Sequence, residues 1–132
     1  MTDKKIIWVI RNGHKEKAQL DINEKTCSIL LTFQNGWAKN YTDLNIYNCL
    51  GNIIKEHSDV NFLCKGAKRN VRPSSMSAQM TSGIMAYENT LGEPASRQNL
   101  VNIFDFDDQD IINDPQLQKD FFSAWMKSIQ ID

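Results

Sequence analysis

Residues Lys4–Phe33 read KKIIWVIRNGHKEKAQLDINEKTCSILLTF, and this stretch decides the fold class. Ile6-Ile7-Trp8-Val9-Ile10 is a short apolar, largely β-branched run ending at Asn12-Gly13, a strand followed by a tight turn. Ala18 to Asn23 alternates and puts Leu20 and Ile22 on one face. Cys27 to Phe33 is rich in strand formers and stops at Gln34-Asn35-Gly36, while Asn23-Glu24-Lys25 suits a hairpin loop. The first third therefore predicts three antiparallel strands.

Helical spacing follows. Thr42 offers an N-cap with Asp43 in the first turn, and Leu44, Ile46, Tyr47, Leu50, Ile53 and Ile54 form an apolar stripe up to His57. Gly51 weakens that helix by about 1 kcal/mol and marks close packing on a sheet. Val60 to Cys64 reads as a strand. Ser74 or Ser75 caps a short helix carrying Met76 and Met80, which read as core filler along with Met85. Gly83 ends that helix, Ile84 to Tyr87 and Leu100 to Phe106 read as strands, and Leu91 to Pro94 as a loop. Asp114-Pro115 starts a last helix, with an acid at the cap and Pro at the first helical position. Leu117, Phe121, Phe122, Trp125, Met126 and Ile129 form its inner stripe. Trp8 and Trp37 flank turns and close the core at its ends.

The order βββ-α-β-α-β-β-α predicts an α+β fold in a single domain over residues 1–132. Its sheet is expected to be mixed or mainly antiparallel, with helices packed mainly on one face. The length of 132 residues supports one core without metal or disulfide staples. A formal net charge of −1 argues against a dedicated nucleic-acid binder. Cys27, Cys49 and Cys64 make an odd number with no Cys-x-x-Cys pair, and the N-terminal apolar run is too short for a signal peptide. The expected location is the cytoplasm, with the thiols reduced. No apolar run reaches the roughly 20 residues of a membrane span.

The near-neutral total hides a gradient. Lys55, Lys65, Lys68, Arg69 and Arg72 outnumber Glu56 and Asp59 in the middle, whereas Asp105, Asp107, Asp108, Asp110, Asp114, Asp120 and Asp132 outnumber Lys119 and Lys127 at the end. Two candidate sites follow. In the loop from Lys65 to Ser75, residues Lys68, Arg69, Arg72, Ser74 and Ser75 could hold a phosphate or carboxylate, although the GxxxxGK[ST] spacing of a P-loop is missing. The bland reading of the same residues, a solvated connection with ordinary surface cations, is the commoner case. In the second, Asp105, Asp107, Asp108 and Asp110 could dock on a basic partner, with Trp37 as an anchor. The alternative is a solvated strand-to-helix connection.

Counting from Asp105, an EF-hand would need Gly at the sixth place and Glu at the twelfth, where this chain has Asp110 and Gln116, so no calcium loop is read. His14 and His57 lack ligand-spaced partners for zinc. Cys64 beside Lys65 could form a nucleophile pair with His57, but a cysteine closing an apolar strand reads as structural. No catalytic residue, metal or cofactor is expected.

Phe62-Leu63-Cys64-Lys65-Gly66-Ala67, then Val71-Arg72-Pro73-Ser74-Ser75-Met76-Ser77-Ala78-Gln79-Met80, then Ala86-Tyr87 and Val101 to Asp105, resembles a block in a group of small bacterial proteins, some similar to immunity proteins of contact-dependent growth inhibition or related polymorphic toxin systems. The likeness covers roughly the middle third of the chain and brings no catalytic residues with it. It implies a small inhibitor that binds a cognate toxin domain, some of which are nucleases, by shape and charge, with no direct nucleic-acid contact. The competing expectation is a small anion- or nucleotide-binding protein or enzyme built on residues 65–75.

Overall fold

The computed structural model describes residues 2–130, so Asp132 of the acidic tail lies outside them. The fold is α+β, but its strands form two antiparallel sheets rather than one. The first has five strands: β1 (Asp3–Arg11), β2 (His14–Asn23), β3 (Ser28–Thr32), β4 (Ala38–Thr42) and β5 (Asn61–Leu63), in the order β4-β3-β2-β1-β5. The second comprises β6 (Val71–Arg72), β7 (Met85–Glu88) and β8 (Leu100–Asn102), in that order.

The first hairpin forms as expected. Asn12 and Gly13 both take positive φ, 53° and 76°, which matches the right-handed twist of the flanking strands. Period-two alternation then buries Ile7, Val9, Ala18, Leu20, Ile22, Ile29 and Leu31. The opposite side of this sheet leaves Ile6, Trp8 and Leu30 exposed. Trp8 is thus a mid-strand residue of the outer face, where the Lys15 and Lys17 ammonium groups lie 5.1 and 5.2 Å from its ring, and does not close the core.

Two strands escaped the reading. β4, AKNYT, buries only Tyr41 and carries no apolar alternation. β6 is two residues long and ends before Pro73, which has no N–H for a ladder. The strand expected over Leu100 to Phe106 stops at Asn102, and the chain then turns.

Helix α1 (Ile46–Glu56) begins later than Thr42 predicts, because the Asn45 side chain caps it by accepting from the Asn48 amide at 2.7 Å. Leu44 precedes it and is 87% exposed. Gly51 does not mark a tight approach: a Cβ there would meet only Pro115 Cγ, at 3.8 Å. Gly51→Ala should therefore stabilise the protein by roughly 0.5–1 kcal/mol through helix propensity, read as a raised urea midpoint.

Helix α2 (Ser75–Thr81) is capped by Ser74, whose Oγ accepts from the Ser77 amide at 3.1 Å. Met76 and Met80 are 69% and 77% exposed, so they are not core filler. Seven residues give this helix only one buried position, Ser77, and both methionines fall on its outer side.

Helix α3 (Pro115–Ser128) starts at the Asp114 cap as expected. Its apolar stripe is only partly inward. Trp125 is buried, Phe121 and Phe122 are half-buried, and Met126 is 43% exposed. The other buried position is polar: Gln118. One continuous buried cluster joins the first sheet, α1 and the second sheet through Cys64, Ala67, Val71, Ala86 and Ile103. No helix among the described residues is long and apolar enough to cross a membrane.

Candidate functional site

After β5 the chain makes a 3-10 turn, Lys65–Ala67, which packs against the segment following β8. Backbone bonds hold the two together: Lys65 N–H to Asp105 O at 2.8 Å, Gly66 N–H to Ile103 O at 2.8 Å, Arg69 N–H to Asp110 O at 3.0 Å, and Ile112 N–H to Ala67 O at 2.8 Å. Gln118 reaches down from α3 and donates to the carbonyls of Gly66 (2.9 Å) and Lys68 (2.8 Å). Buried carbonyls need such partners. The basic loop and the acidic loop are therefore laced side by side.

Their charges consequently meet. The Lys65 ammonium lies 2.9 Å from Asp107 Oδ2 and 3.0 Å from Glu88 Oε1. The Lys68 ammonium lies 2.9 Å from the same Asp107 oxygen and 3.1 Å from Glu88 Oε2. The other Asp107 oxygen accepts the Gln109 amide at 2.8 Å. Only 8% of the Lys68 side chain and 14% of the Asp107 side chain remain exposed. Burial by itself would raise the Asp107 pKa, but the Gln109 amide and the two ammonium groups outweigh it and hold the carboxyl well below its ordinary value. Burial likewise opposes the Lys68 charge, yet its bonds to Asp107 and Glu88 leave its pKa raised.

This geometry re-sorts the candidate residues. Asp107 faces inward and clamps the loop, so it does not belong to a free negative patch. Asp110 pairs with Arg69 at 3.3 Å, but both side chains are about half exposed, where such a pair contributes little. Asp105 and Asp108 are exposed. Phe106 stands between them with 51% of its surface open, and the Lys15 ammonium lies 5.4 Å from its ring.

Trp37 is held elsewhere, in the turn between β3 and β4. It packs on Phe33 (5.6 Å between ring centres) and edge-on to His57 (5.2 Å). Nothing among the described residues links it to the aspartates.

The anion-binding set is likewise divided. Lys68 and Arg69 are occupied by carboxylates, while Arg72, Ser74 and Ser75 line a separate cleft of about 220 Å³ with Pro73, Tyr87, Asn89, Ala95, Phe122 and Trp125. The Arg72 guanidinium lies 4.5 Å over the Phe122 ring. The five residues do not form one anion site, because the chain turns through β6 between Arg69 and Pro73.

Cys64 and His57 do not meet. Cys64 is fully buried, and burial pushes its thiol up to about 12 despite the nearby Ala67 and Gly66 amides. His57 Nε2 shares a 2.8 Å hydrogen bond with the Tyr41 hydroxyl, which also donates to Glu56. Burial holds the His57 pKa below its ordinary value. No cluster of three or more metal-ligating side chains occurs among the described residues.

Glu88, Phe106, Asn89 and Gln118 are absent from the sequence-derived sites. Only Gln118 had a usable signal: residues 118, 122, 125 and 129 recur at helical spacing, so it shares a face with Phe122 and Trp125. No protein-family model matches this sequence, and no curated protein matches it.

Proposed function

We propose that this chain is a binding module that neutralises a cognate toxin domain in the manner of a bacterial immunity protein, with the loop Asp105–Asp110 as its contact surface. The observation that carries this reading is the clamped loop. Asp107, Lys65, Lys68 and Glu88 fix it from beneath, and four backbone bonds fix its flanks, so its outward groups are ordered before any partner arrives. A preorganised surface loses little entropy on association. Its outward groups are an aromatic side chain, Phe106, flanked by Asp105 and Asp108. An exposed ring among carboxylates suits an anchor within a steering field, and a nuclease's phosphate-binding surface has the opposite sign. The resemblance of the middle third to immunity proteins points the same way.

The test pairs the purified chain with the product of a toxin-like reading frame, if one adjoins its own gene. Asp105→Lys with Asp108→Lys should slow association about tenfold at low ionic strength, the deficit shrinking as salt screens it. Growth protection should fall in parallel. Unchanged association and protection would place the contact on another face. A neighbouring product that is neither toxic nor bound would end the inhibitor reading.

A further inference from the structure

Three features converge on the cleft between β6, β7 and α3, none of them used by the acidic loop. The first is an unspent cation. Lys65, Lys68 and Arg69 each have carboxylate partners, whereas Arg72 has none within salt-bridge distance among the described residues. The second is an unspent acceptor. Asn89 is 4% exposed and lines the cleft, and its Oδ1 has no hydrogen-bond partner among the described residues. Buried polar atoms are rarely left so; Oδ1 is closed off in this structure, and a turn of the Asn89 side chain toward the cleft would let an arriving donor satisfy it. The third is an aromatic wall. Phe122 and Trp125 stand 5.7 Å apart with ring planes inclined by 35°, and Tyr87 lines the same cleft. The Trp125 indole N–H is already bound to the Glu93 carbonyl at 2.9 Å, so that ring is fixed and contributes its apolar surface.

Size and charge narrow the occupant. A cavity of about 150 Å³ takes a benzene ring. A cleft of about 220 Å³ therefore has room for one ring and small polar groups, but not for a nucleotide. One guanidinium balances one negative charge, which suits a carboxylate better than a multiply charged phosphate. A guanidinium lying over Phe122 keeps N–H groups free for that carboxylate.

We propose that this cleft binds a small aromatic carboxylate: one ring against Phe122 and Trp125, its carboxylate on Arg72, and a hydroxyl or ring N–H donated to Asn89. This site shares no residue with the Asp105–Asp110 loop, so either reading can fail without the other.

Three probes separate the contributions: para-hydroxybenzoate, benzoate without the donor, and para-hydroxybenzamide without the charge. They are titrated into the labelled full chain while the Trp125 indole N–H and the Asn89 side-chain amide are followed by NMR. Para-hydroxybenzoate should shift both signals saturably. Benzoate should bind several-fold more weakly, and the amide at least tenfold more weakly. Arg72→Gln should weaken para-hydroxybenzoate at least tenfold and leave the amide's affinity unchanged, with the remaining spectrum reporting an intact fold. Ala95→Phe, at an exposed rim position, should block all three probes without altering charge. The proposal is overturned if para-hydroxybenzoate leaves the Trp125 signal in place up to its solubility limit. Equal affinity for acid and amide, or for wild type and Arg72→Gln, would also overturn it.

Discussion

Asp107→Asn should cost about 3 kcal/mol of stability at neutral pH, because it leaves two ammonium groups sharing the single carboxylate of Glu88 in a largely buried cluster. The native cluster balances two cations with two anions, and the variant leaves one positive charge over. Linkage supplies a second signature. The folded-state pKa of Asp107 is depressed, so its contribution is fully present above its unfolded value, about 3.9, and is lost as pH falls through the folded value. The wild type should therefore shed this stability progressively below about pH 4. The variant should show a shallower acid limb, keeping only what Glu88, whose pKa is also lowered, still contributes. Denaturant unfolding at pH 7 and between pH 5 and 2 reads both effects. Locally, the Gln109 amide loses its 2.8 Å bond to the Asp107 carboxylate charge and should exchange faster with solvent. A neutral-pH difference under about 1 kcal/mol would mean that the cluster merely breaks even against desolvation.

Gly66→Ala should be of similar severity for a steric reason. A Cβ at this position would stand 2.6 Å from Leu50 Cδ2 and 2.9 Å from Ile103 Cβ. Neither neighbour has room to move. Leu50 is 1% exposed within the α1 core, and the Ile103 carbonyl is tied to the Gly66 amide at 2.8 Å. Overpacking of this kind costs about 1–3 kcal/mol, and two simultaneous clashes put Gly66 at the upper end. At this chain length that lowers Tm by roughly 10 °C, measurable by calorimetry. Leu50→Ala should partly rescue the fold in the double variant by opening space at the nearer clash. Tolerance of Gly66→Ala at wild-type Tm would show that the 3-10 turn can slide away from α1.

Gly66 belongs to a block of close-packed residues. Cys64, Gly66, Ala67, Val71 and Ala86 are all buried, and Ser74 caps α2. In this chain the block is largely packing and capping, the hinge by which the second sheet is joined to α1. The groups of the two proposed sites lie at its edges and beyond it: Asp105, Phe106 and Asp108 on one side, Arg72 and Asn89 on the other.

Local rules were legible wherever the controlling interaction spans only a few residues. The Asn12-Gly13 turn, the apolar run of β1, the alternation in β2, the strand formers of β3, a serine cap at 74 or 75 and the Asp114-Pro115 helix start all depend on neighbours within one turn or hairpin. The same rules failed at Met76 and Met80, where spacing implied an inward stripe but a seven-residue helix at the surface buried a serine instead.

The sign of each charged segment was also plain from the residues alone, but whether the two segments meet was not. Lys65 and Asp107 are 42 positions apart, and Lys68 and Asp107 are 39 apart. Nothing in their spacing distinguishes two opposed surfaces from one internal pair. Taken by itself, the chain determined an α+β fold, its first hairpin, the starts of its second and third helices and its charge gradient, because backbone propensity and hydrophobic period act over short range. Only the tertiary structure decided that Lys65, Lys68 and Arg69 pair with Glu88, Asp107 and Asp110, that Phe106 stays exposed, that Arg72 lies over Phe122 with no carboxylate partner among the described residues, and where a cleft opens. Those outcomes depend on which distant surfaces come into contact, and Coulomb attraction and packing act through space rather than along the chain.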